Sequence, residues 1–308
     1  MKQYVLNKLR NLIGIPQMKW EFTMALNRMQ SQQRIMPLWE HILYDADLGI
    51  TNQKYVDGEI IVSLTSYRRR LWDAAFAIET IMQQTMKANR IVLWLSHDDY
   101  KEIPQALKLL QKRGLEITEC DDLLSYKKII PSLRKFPNDV IVTIDDDVMY
   151  DPDVLERLIR AYLKAPQYIH ACRVHRITFN ENGQLAPYQN WRWTISTQGP
   201  HPLNFFTGCG GVLYPPHCLD EEAQNEAVFM KLCKTADDVW QNAMAIKKGT
   251  LVSKVNTHNP SGEDYCLNEI AQNESLYSVN VANQQLNDVA MKSVFAKYAL
   301  VDVLKSKL

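Results

Sequence analysis

The alternation of short β-branched runs with helical segments between residues 58 and 150 constrains the fold of this chain more than any other feature. Four runs rich in Val, Ile and Leu predict strands that are apolar on both faces: IIVSL (60–64), RIVLWL (90–95), LEITEC (115–120) and VIVTI (140–144). Amphipathic segments of helical length separate these runs. Strands of this kind belong to parallel sheets that helices cover on each side. The pattern therefore predicts an α/β domain whose ligands bind at the carboxyl ends of the strands.

The composition is that of an ordinary globular protein. Hydrophobic residues make up 46% of the 308-residue chain, and 35 basic side chains balance 35 acidic ones. This excludes wholesale disorder, and the balance of charge argues against a nucleic-acid partner. Six cysteines without the spacing of a disulfide scaffold predict a reduced protein. Because the sequence also has no secretory h-region and no run of about 18 apolar residues, we expect a cytoplasmic protein.

Residues 1–57 predict a basic, mostly helical N-terminal extension. Up to residue 36, one acidic side chain, Glu21, accompanies six Lys and Arg side chains. Apolar residues recur at helical spacing near the start, at Val5, Leu9, Leu12 and Ile13. Two interpretations of this stretch stay open. It packs as a helix on the main domain, or it contacts anionic lipid as a peripheral patch at the cytoplasmic face of a membrane.

Three consecutive aspartates, Asp145, Asp146 and Asp147, follow the last of the four predicted strands. Side chains at i and i+2 of an extended segment point the same way, so Asp145 and Asp147 can converge. Carboxylates this close repel each other unless a cation lies between them, and Mg²⁺ or Mn²⁺ prefers such oxygen ligands. Helix capping explains the triplet less well, because residues 151–153 already supply the capping residues of the next helix. The triplet therefore predicts a metal or substrate site.

Polar loops follow the first and third predicted strands and suit a nucleoside diphosphate, since hydroxyl, Arg and Lys groups bind phosphate. Solvent-exposed loops without a ligand are an equally good interpretation. No Walker-type or GxGxxG motif is present, which argues against nucleoside triphosphate hydrolysis and dinucleotide redox chemistry. The candidate nucleotide-binding residues are Thr65, Ser66, Tyr67, Arg70, Asp121, Lys127 and Lys128, together with Asp145 and Asp146.

The second half of the chain offers candidates for binding an acceptor. Gly210 and Gly211 lie in a glycine-rich turn that permits close approach of the backbone to a ligand, although a plain turn is an alternative. Trp191 and Trp193 share one face of a predicted strand. Core packing is the first expectation for these indoles, but an exposed indole face also suits a sugar ring.

A predicted helix begins at Asp237 and Asp238 in KTADDVWQNAMAIKKG. Thr235 and Asp238 have the spacing of a capping box, which is one interpretation. A carboxylate at a helix start can also face a cleft and act as a general base. His258 is a candidate metal ligand, with a loop histidine as the alternative.

Taken together, SLTSYRRR, SHDDY, CDDLLSYKK, IDDDVMYDPDVLE, GCGG and ADDVWQNAMAI resemble a bacterial GT-A glycosyltransferase of the family 2-like type that builds capsular polysaccharide or lipopolysaccharide. The resemblance covers residues 58–300, which divide into a nucleotide-sugar half (58–150) and an acceptor half (151–300). Residues 301–308 form a C-terminal tail. The resemblance implies that Asp145 and Asp147 bind Mn²⁺ or Mg²⁺ and a nucleotide sugar, with a UDP-sugar as the leading expectation. It also implies that Asp238, or else Asp237, is the base, and that His258 completes the metal site.

The resemblance implies transfer of a sugar to a hydroxyl of a glycan or lipid-linked glycan. One base without a second nucleophilic carboxylate favours inversion at the anomeric carbon. Nucleotidyl or phosphoryl transfer uses similar acidic metal sites and is the alternative reaction. A sugar-binding module without turnover is the non-enzymatic alternative. The sequence leaves the donor sugar and the linkage open, because pocket shape decides them.

Overall fold

A computed structural model describes residues 15–268 and 286–308 and confirms the α/β class. The strands are β1 (Ile60–Thr65), β2 (Arg90–Leu95), β3 (Leu115–Glu119), β4 (Val140–Thr143), β5 (Val148–Tyr150), β6 (Ile169–Ala171), β7 (Val174–Arg176), β8 (Gly199–His201), β9 (Asn204–Phe206), β10 (Val212–Tyr214), β11 (Val252–Lys254) and β12 (Tyr265–Leu267). The helices are α1 (Ile15–Tyr44), α2 (Leu71–Met82), α3 (His97–Tyr100), α4 (Gln105–Gln111), α5 (Ile130–Lys135), α6 (Val154–Lys164), α7 (Glu226–Leu232), α8 (Asp237–Lys248), α9 (Leu286–Lys297) and α10 (Leu300–Lys305).

Eight strands form a mostly parallel central sheet in the order β3-β2-β1-β4-β10-β6-β11-β8. Strands β1 to β4 are parallel, and Val62 of β1 pairs with Ile91 on one side and Val142 on the other. Strand β10 runs antiparallel to both β4 and β6, and β8 runs antiparallel to β11. The two halves of the chain, 58–150 and 151–300, thus contribute to a single sheet.

The central strands are buried on both faces, as their continuous apolar runs predict. Ile60, Val62 and Leu64 of β1 pack into the core that includes α2, α4 and α6. Ile141 of β4 points to the opposite core, which holds α8 and the C-terminal helices α9 and α10. Because helices cover both faces, the accessible part of the sheet is the edge where the parallel strands end.

Within the N-terminal extension, Ile15–Tyr44 forms helix α1, and the C-terminal half of this helix packs on the domain. Leu38 and Ile42 of α1 are buried, and α1 lies against α2. Phe22, Met29 and Met36 of the same helix are more than half exposed. Packing therefore accounts for only part of the helix. The residues on which the amphipathic pattern was based, Val5, Leu9, Leu12 and Ile13, lie outside the described residues. No helix in the described ranges has the length and apolarity needed to cross a membrane.

Candidate functional site

The sheet topology brings the predicted acids and the glycine-rich turn together. Strand β4 ends at Thr143, two residues before Asp145. Because β10 is antiparallel to β4, Val212 at its start pairs with Thr143. The turn that precedes β10 therefore lies at the same edge as the acids that follow β4. The first turn of α8, with Asp237 and Asp238, comes to this edge as well.

Asp146 is held inside the protein rather than presented to a ligand. Its Oδ2 atom accepts hydrogen bonds from Ser66 Oγ (2.6 Å) and Arg70 Nε (3.1 Å), and its Oδ1 accepts from the other arm of the guanidinium (2.5 Å). Only 7% of Asp146 is exposed. The prediction that Ser66, Arg70 and Asp146 bind the nucleotide sugar directly is therefore corrected. They form a buried network because a two-armed guanidinium matches a carboxylate.

Asp147 shares Arg70 with Asp146, at 2.9 Å from its Oδ2 atom. Burial opposes the charge on Arg70, but the two carboxylates hold its pKa far above the usual range. Burial raises the pKa of Asp147 to about 6, with the charge of Asp146 adding to the rise and Arg70 opposing it. Asp147 thus carries negative charge at neutral pH against an unfavourable environment, and a further cation would relieve this.

Lys128 links the two acidic segments. Its Nζ atom lies 2.9 Å from Asp145 Oδ1 and 3.0 Å from Asp237 Oδ2. Burial works against the ammonium charge, but Asp145 and Asp237 hold the pKa of Lys128 well above its usual range. The backbone N–H of Asp145 donates to the Tyr150 hydroxyl at 2.9 Å, which fixes the chain at the start of the triplet. Lys128 is therefore a fixed positive charge at the centre of the site.

Asp238 faces the glycine-rich turn. The N–H of Gly208 donates to its Oδ2 atom at 3.0 Å. Desolvation raises the pKa of Asp238 to about 7, and Lys128 and the Gly208 N–H oppose this rise. A methyl group added to Gly208 would lie 2.8 Å from Lys128 Nζ, 3.1 Å from Asp238 Oδ1 and 3.6 Å from Asp145 Oδ1. The absence of a side chain at Gly208 thus lets two carboxylates and an ammonium group come close to the same point of the backbone.

Beside this centre, a cleft of about 710 Å³ lies at the ends of β2 and β3. Asp121, a predicted nucleotide ligand, lines this cleft. Lys127 is buried against Asp122, with 2.6 Å between Nζ and Oδ1, and Thr65 Oγ1 donates to the Trp94 carbonyl at 2.8 Å. Lys127 and Thr65 thus stabilise the walls, while Asp121 is available to a ligand in the cleft.

Tyr67 lies just outside the Arg70 network. The Arg70 guanidinium carbon is 5.7 Å from the centre of the Tyr67 ring. A cation above a ring face at this distance is weakly attracted to it. The contact makes Tyr67 a neighbour of the buried network and not a separate site.

The site offers carboxylate oxygens of the kind that a divalent cation binds, whereas His258 lies outside it. The site holds five carboxylates and two cationic side chains: Asp145, Asp146, Asp147, Asp237 and Asp238 against Arg70 and Lys128. Oxygen ligands with this excess of negative charge suit Mg²⁺ or Mn²⁺.

His258 is bound elsewhere in the fold. Its Nε2 atom lies 2.8 Å from Asp153 Oδ2, and its N–H donates to Asp264 at 2.8 Å. In the described ranges its ligand atoms do not come within 4.8 Å of those of both Asp145 and Asp147. The prediction of His258 as a third metal ligand is therefore corrected to a loop-anchoring role.

Among the described residues, His41, Asp45 and Glu79 bring three possible metal-ligand atoms within 4.8 Å of one another. Arg113 already lies 2.6 Å from Glu79 and supplies the positive charge there. This group is therefore an ion-pair network between α1 and α2.

The residues predicted for acceptor binding mostly belong to the interior. Trp191 is 5% exposed and donates to the Ala186 carbonyl, so its predicted role in acceptor binding is corrected to core packing. Trp193 is half-buried and stacks on His175, with 5.1 Å between ring centres. Gly210 and Gly211 are buried, and a methyl group on Gly210 would lie 2.9 Å from the Arg173 backbone nitrogen. The glycine that borders the site is Gly208.

Sequence reasoning missed Arg173, which follows β6 and lies beside the same turn. A basic residue directly after a strand run was the available signal, since ligand-binding side chains collect there. Tyr150 was also missed, because its role depends on a hydrogen bond to Asp145 within the loop.

No family model matches this chain, and no curated protein matches it in sequence. Solved structures that match include a CMP:2-keto-3-deoxy-manno-octonic acid synthetase complexed with CTP, at 12% identity and a TM-score of 0.36, covering 65% of this chain and 89% of that one. Another is the inositol-1-phosphate CTP transferase from T. maritima, at 13% identity and a TM-score of 0.39, covering 64% of this chain and 84% of that one.

Proposed function

We propose that this chain is a glycosyltransferase that moves a sugar from a nucleoside-diphosphate sugar to an acceptor hydroxyl in the synthesis of a bacterial surface glycan. The observation that carries the proposal is the meeting of Asp145, Lys128 and Asp238 at Gly208, where all three lie within 3.6 Å of the position of an added methyl group. A transferase of this kind needs positive charge for the leaving diphosphate and a base for the acceptor, side by side.

Asp238 is the proposed general base. A base works best when its pKa lies near the working pH, and the pKa of Asp238 is raised to about 7. The Gly208 N–H holds one carboxylate oxygen, which fixes the direction of the other. Asp237, in contrast, is buried against Lys128 and has the role of neutralising the ammonium group.

Lys128 is the proposed stabiliser of the charge that develops on the leaving diphosphate. Its ammonium lies beside Gly208 and is held by Asp145 and Asp237, so it needs no rearrangement when charge develops. Asp145 and Asp147 would hold Mg²⁺ or Mn²⁺. The ion, when bound, would neutralise diphosphate oxygens. Asp121 would contact the nucleoside in the neighbouring cleft. A single base on the acceptor is consistent with inversion.

Nucleotide-sugar binding tests the proposal directly. Each of a panel of nucleoside-diphosphate sugars is added with and without Mn²⁺, and the melting temperature is measured, because a ligand that binds only the native state raises it. We expect one donor, a UDP-sugar first, to raise the melting temperature only with the metal. Asp147→Ala should abolish the metal-dependent rise in melting temperature. A nucleoside triphosphate with a sugar phosphate giving the larger shift would instead support nucleotidyl transfer, and no metal dependence would contradict the metal site.

A further inference from the structure

Arg173 is fixed rigidly beside the glycine-rich turn. Two glycines press against its backbone, since an added methyl group would lie 2.9 Å from its nitrogen at Gly210 and 2.9 Å from its Cα at Gly262. Its carbonyl accepts the N–H of Thr207 at 3.2 Å. Substitution of either glycine would push this segment away, so the fold determines where the Arg173 side chain begins.

Arg173 differs from the other buried arginines in the described part of the chain. The side chains of Arg70, Arg113 and Arg157 are between 5% and 13% exposed, and each has a carboxylate within 2.9 Å. The Arg173 side chain is similarly buried, at 16% exposed, but its carboxylate partner in those ranges, Glu263, is 3.4 Å away. Its second contact is a neutral hydroxyl, Thr207 Oγ1, at 2.9 Å.

This incomplete pairing leaves guanidinium donors available. A guanidinium has five N–H donors, and a buried charge is costly unless it is paired closely. The Glu263 side chain is 43% exposed and also accepts a hydrogen bond from Ser261 Oγ at 3.1 Å. Its carboxylate can therefore move away from Arg173 and remain solvated. Arg173 thus has a replaceable partner where the other three arginines have fixed ones.

The turn from Thr207 to Cys209 connects Arg173 with the centre of the site. Gly208 borders Lys128, Asp145 and Asp238, while the residues before and after it contact Arg173 and Tyr265. Thr207 contacts Arg173, and Cys209 Sγ lies 3.5 Å from the Tyr265 hydroxyl. Arg173 thus contacts Thr207, and the next residue, Gly208, contacts the proposed base Asp238. Arg173 lies on the side of the site opposite the nucleotide cleft.

We infer that Arg173, with Thr207, forms an anion subsite that binds a carboxylate or phosphate group carried by the acceptor sugar. The inference rests on the proposed function for its identification of the ligand as an acceptor. The acceptor side is favoured because the nucleotide cleft lies at β2 and β3, across the sheet from Arg173. Arg70 and Lys128 are already paired with carboxylates of the centre, so a charged acceptor needs a separate positive group to hold it. A guanidinium provides this group with the two-armed geometry that carboxylate and phosphate match.

Calorimetric titration with three sugars at low salt tests the subsite: glucuronate, glucose 6-phosphate and neutral glucose. We expect at least one anionic sugar to bind at least tenfold more tightly than glucose, and the two anionic arms distinguish a carboxylate from a phosphate ligand. Arg173→Gln should remove this preference. Glu263→Gln should strengthen it at least threefold, because a competing carboxylate is lost. Arg160→Gln is the matched control, since Arg160 is 63% exposed on α6, and it should change nothing.

Equal binding of all three sugars, or a preference that persists in folded Arg173→Gln, overturns the inference. If Arg173→Gln does not fold, the Glu263→Gln variant provides the test. An unchanged affinity of that variant for the anionic sugars overturns the inference. The titrations contain no nucleotide, so their outcome is separate from that of the donor panel. Loss of the nucleotide-sugar shift with an intact Arg173-dependent preference would reject the glycosyltransferase and keep the anion subsite.

Discussion

The backbone N–H of Gly208 donates to the Oδ2 atom of Asp238 over 3.0 Å. This bond joins the turn before β10 to the first turn of α8. It fixes one carboxylate oxygen and leaves the other, Oδ1, beside the space that a Gly208 side chain would fill. A carboxylate held in this way can receive a proton without a change of rotamer, which is the property a general base needs.

Asp238→Asn should lower turnover by about 10² or more while the protein stays folded. The amide oxygen of Asn can still accept the Gly208 N–H, but it cannot take a proton from a sugar hydroxyl at neutral pH. The melting temperature should change by only a few degrees, and donor binding should be preserved. Steady-state turnover and a thermal melt on the same preparation check both expectations.

Asp237→Asn is the matched control, because it removes a neighbouring carboxylate of the same helix turn. Asp237 neutralises Lys128, so its loss should cost stability more than the chemical step. Full activity of Asp238→Asn with loss in Asp237→Asn would assign the base to Asp237. Activity in both variants would reject this helix start as the source of the base.

The central sheet could be predicted from the sequence, whereas the roles within the Asp triplet could not. Apolar runs that alternate with helical segments are typical of a covered parallel sheet, and β1 to β4 appear where predicted. The two-residue period predicted that Asp145 and Asp147 converge, whereas Asp146 and Asp147 lie in a turn and share Arg70, and Asp145 pairs with Lys128. It could not predict that Arg70 and Ser66 enclose Asp146, because that contact spans 76 to 80 residues and depends on tertiary packing.

Asp146→Asn should destabilise the protein rather than change its metal dependence. The substitution removes the negative charge closest to Arg70, which is buried and keeps Asp147 as its carboxylate partner. Breaking a buried pair on one side costs about 3 kcal/mol or more, and an expected fall in melting temperature of at least about 5 °C follows. Asp98→Asn is the control, since the Asp98 side chain is 91% exposed and pairs only with Lys101. Equal melting temperatures for both variants would show that the Arg70 network carries little stability.

The tryptophan pair illustrates a second limit of the sequence. Trp191 and Trp193 lie two residues apart, and the sequence cannot tell whether their shared face meets solvent or core. Both indole N–H groups donate to backbone carbonyls, of Ala186 and Tyr188, because a buried indole needs an acceptor. Trp191 packs on Phe205 of β9 and Trp193 stacks on His175 of β7, and these contacts are recognisable only after the chain has folded back.

His175 should make stability depend on pH. Burial lowers the pKa of His175 to about 3, with the charge of Arg173 as a second cause. Its Nδ1 atom accepts the N–H of Thr194, whose φ of +47° is strained for a β-branched residue. Below pH 6.5 the unfolded chain gains a proton that the folded chain does not, so stability falls as pH falls towards 3.

The expected loss from this one group between pH 7.5 and 5.5 is about 1.4 kcal/mol, on the basis of an unfolded pKa of about 6.5. Urea unfolding at the two pH values measures it. In His175→Gln the amide oxygen can replace the imidazole acceptor without titrating, so this variant should lose about that much of the pH dependence. An identical pH dependence in wild type and variant would mean that the pKa of His175 is the same in the folded and the unfolded protein.

The exposed face of α1 predicts association with anionic membranes. Met18, Phe22, Met29 and Met36 lie on one side of the helix and are each more than half exposed. The first 36 residues carry six basic side chains against Glu21, a charge that complements anionic lipid.

Flotation with vesicles containing phosphatidylglycerol should recover the protein, and vesicles of phosphatidylcholine alone should recover much less. The double variant Phe22→Asp and Met29→Asp should remain at the bottom of the gradient, whereas Leu163→Asp, at an exposed apolar site on α6, should float like wild type. Equal recovery with both lipids, or none with either, would mean that the helix serves only to pack on α2, since neither charge nor apolar insertion would then favour the membrane.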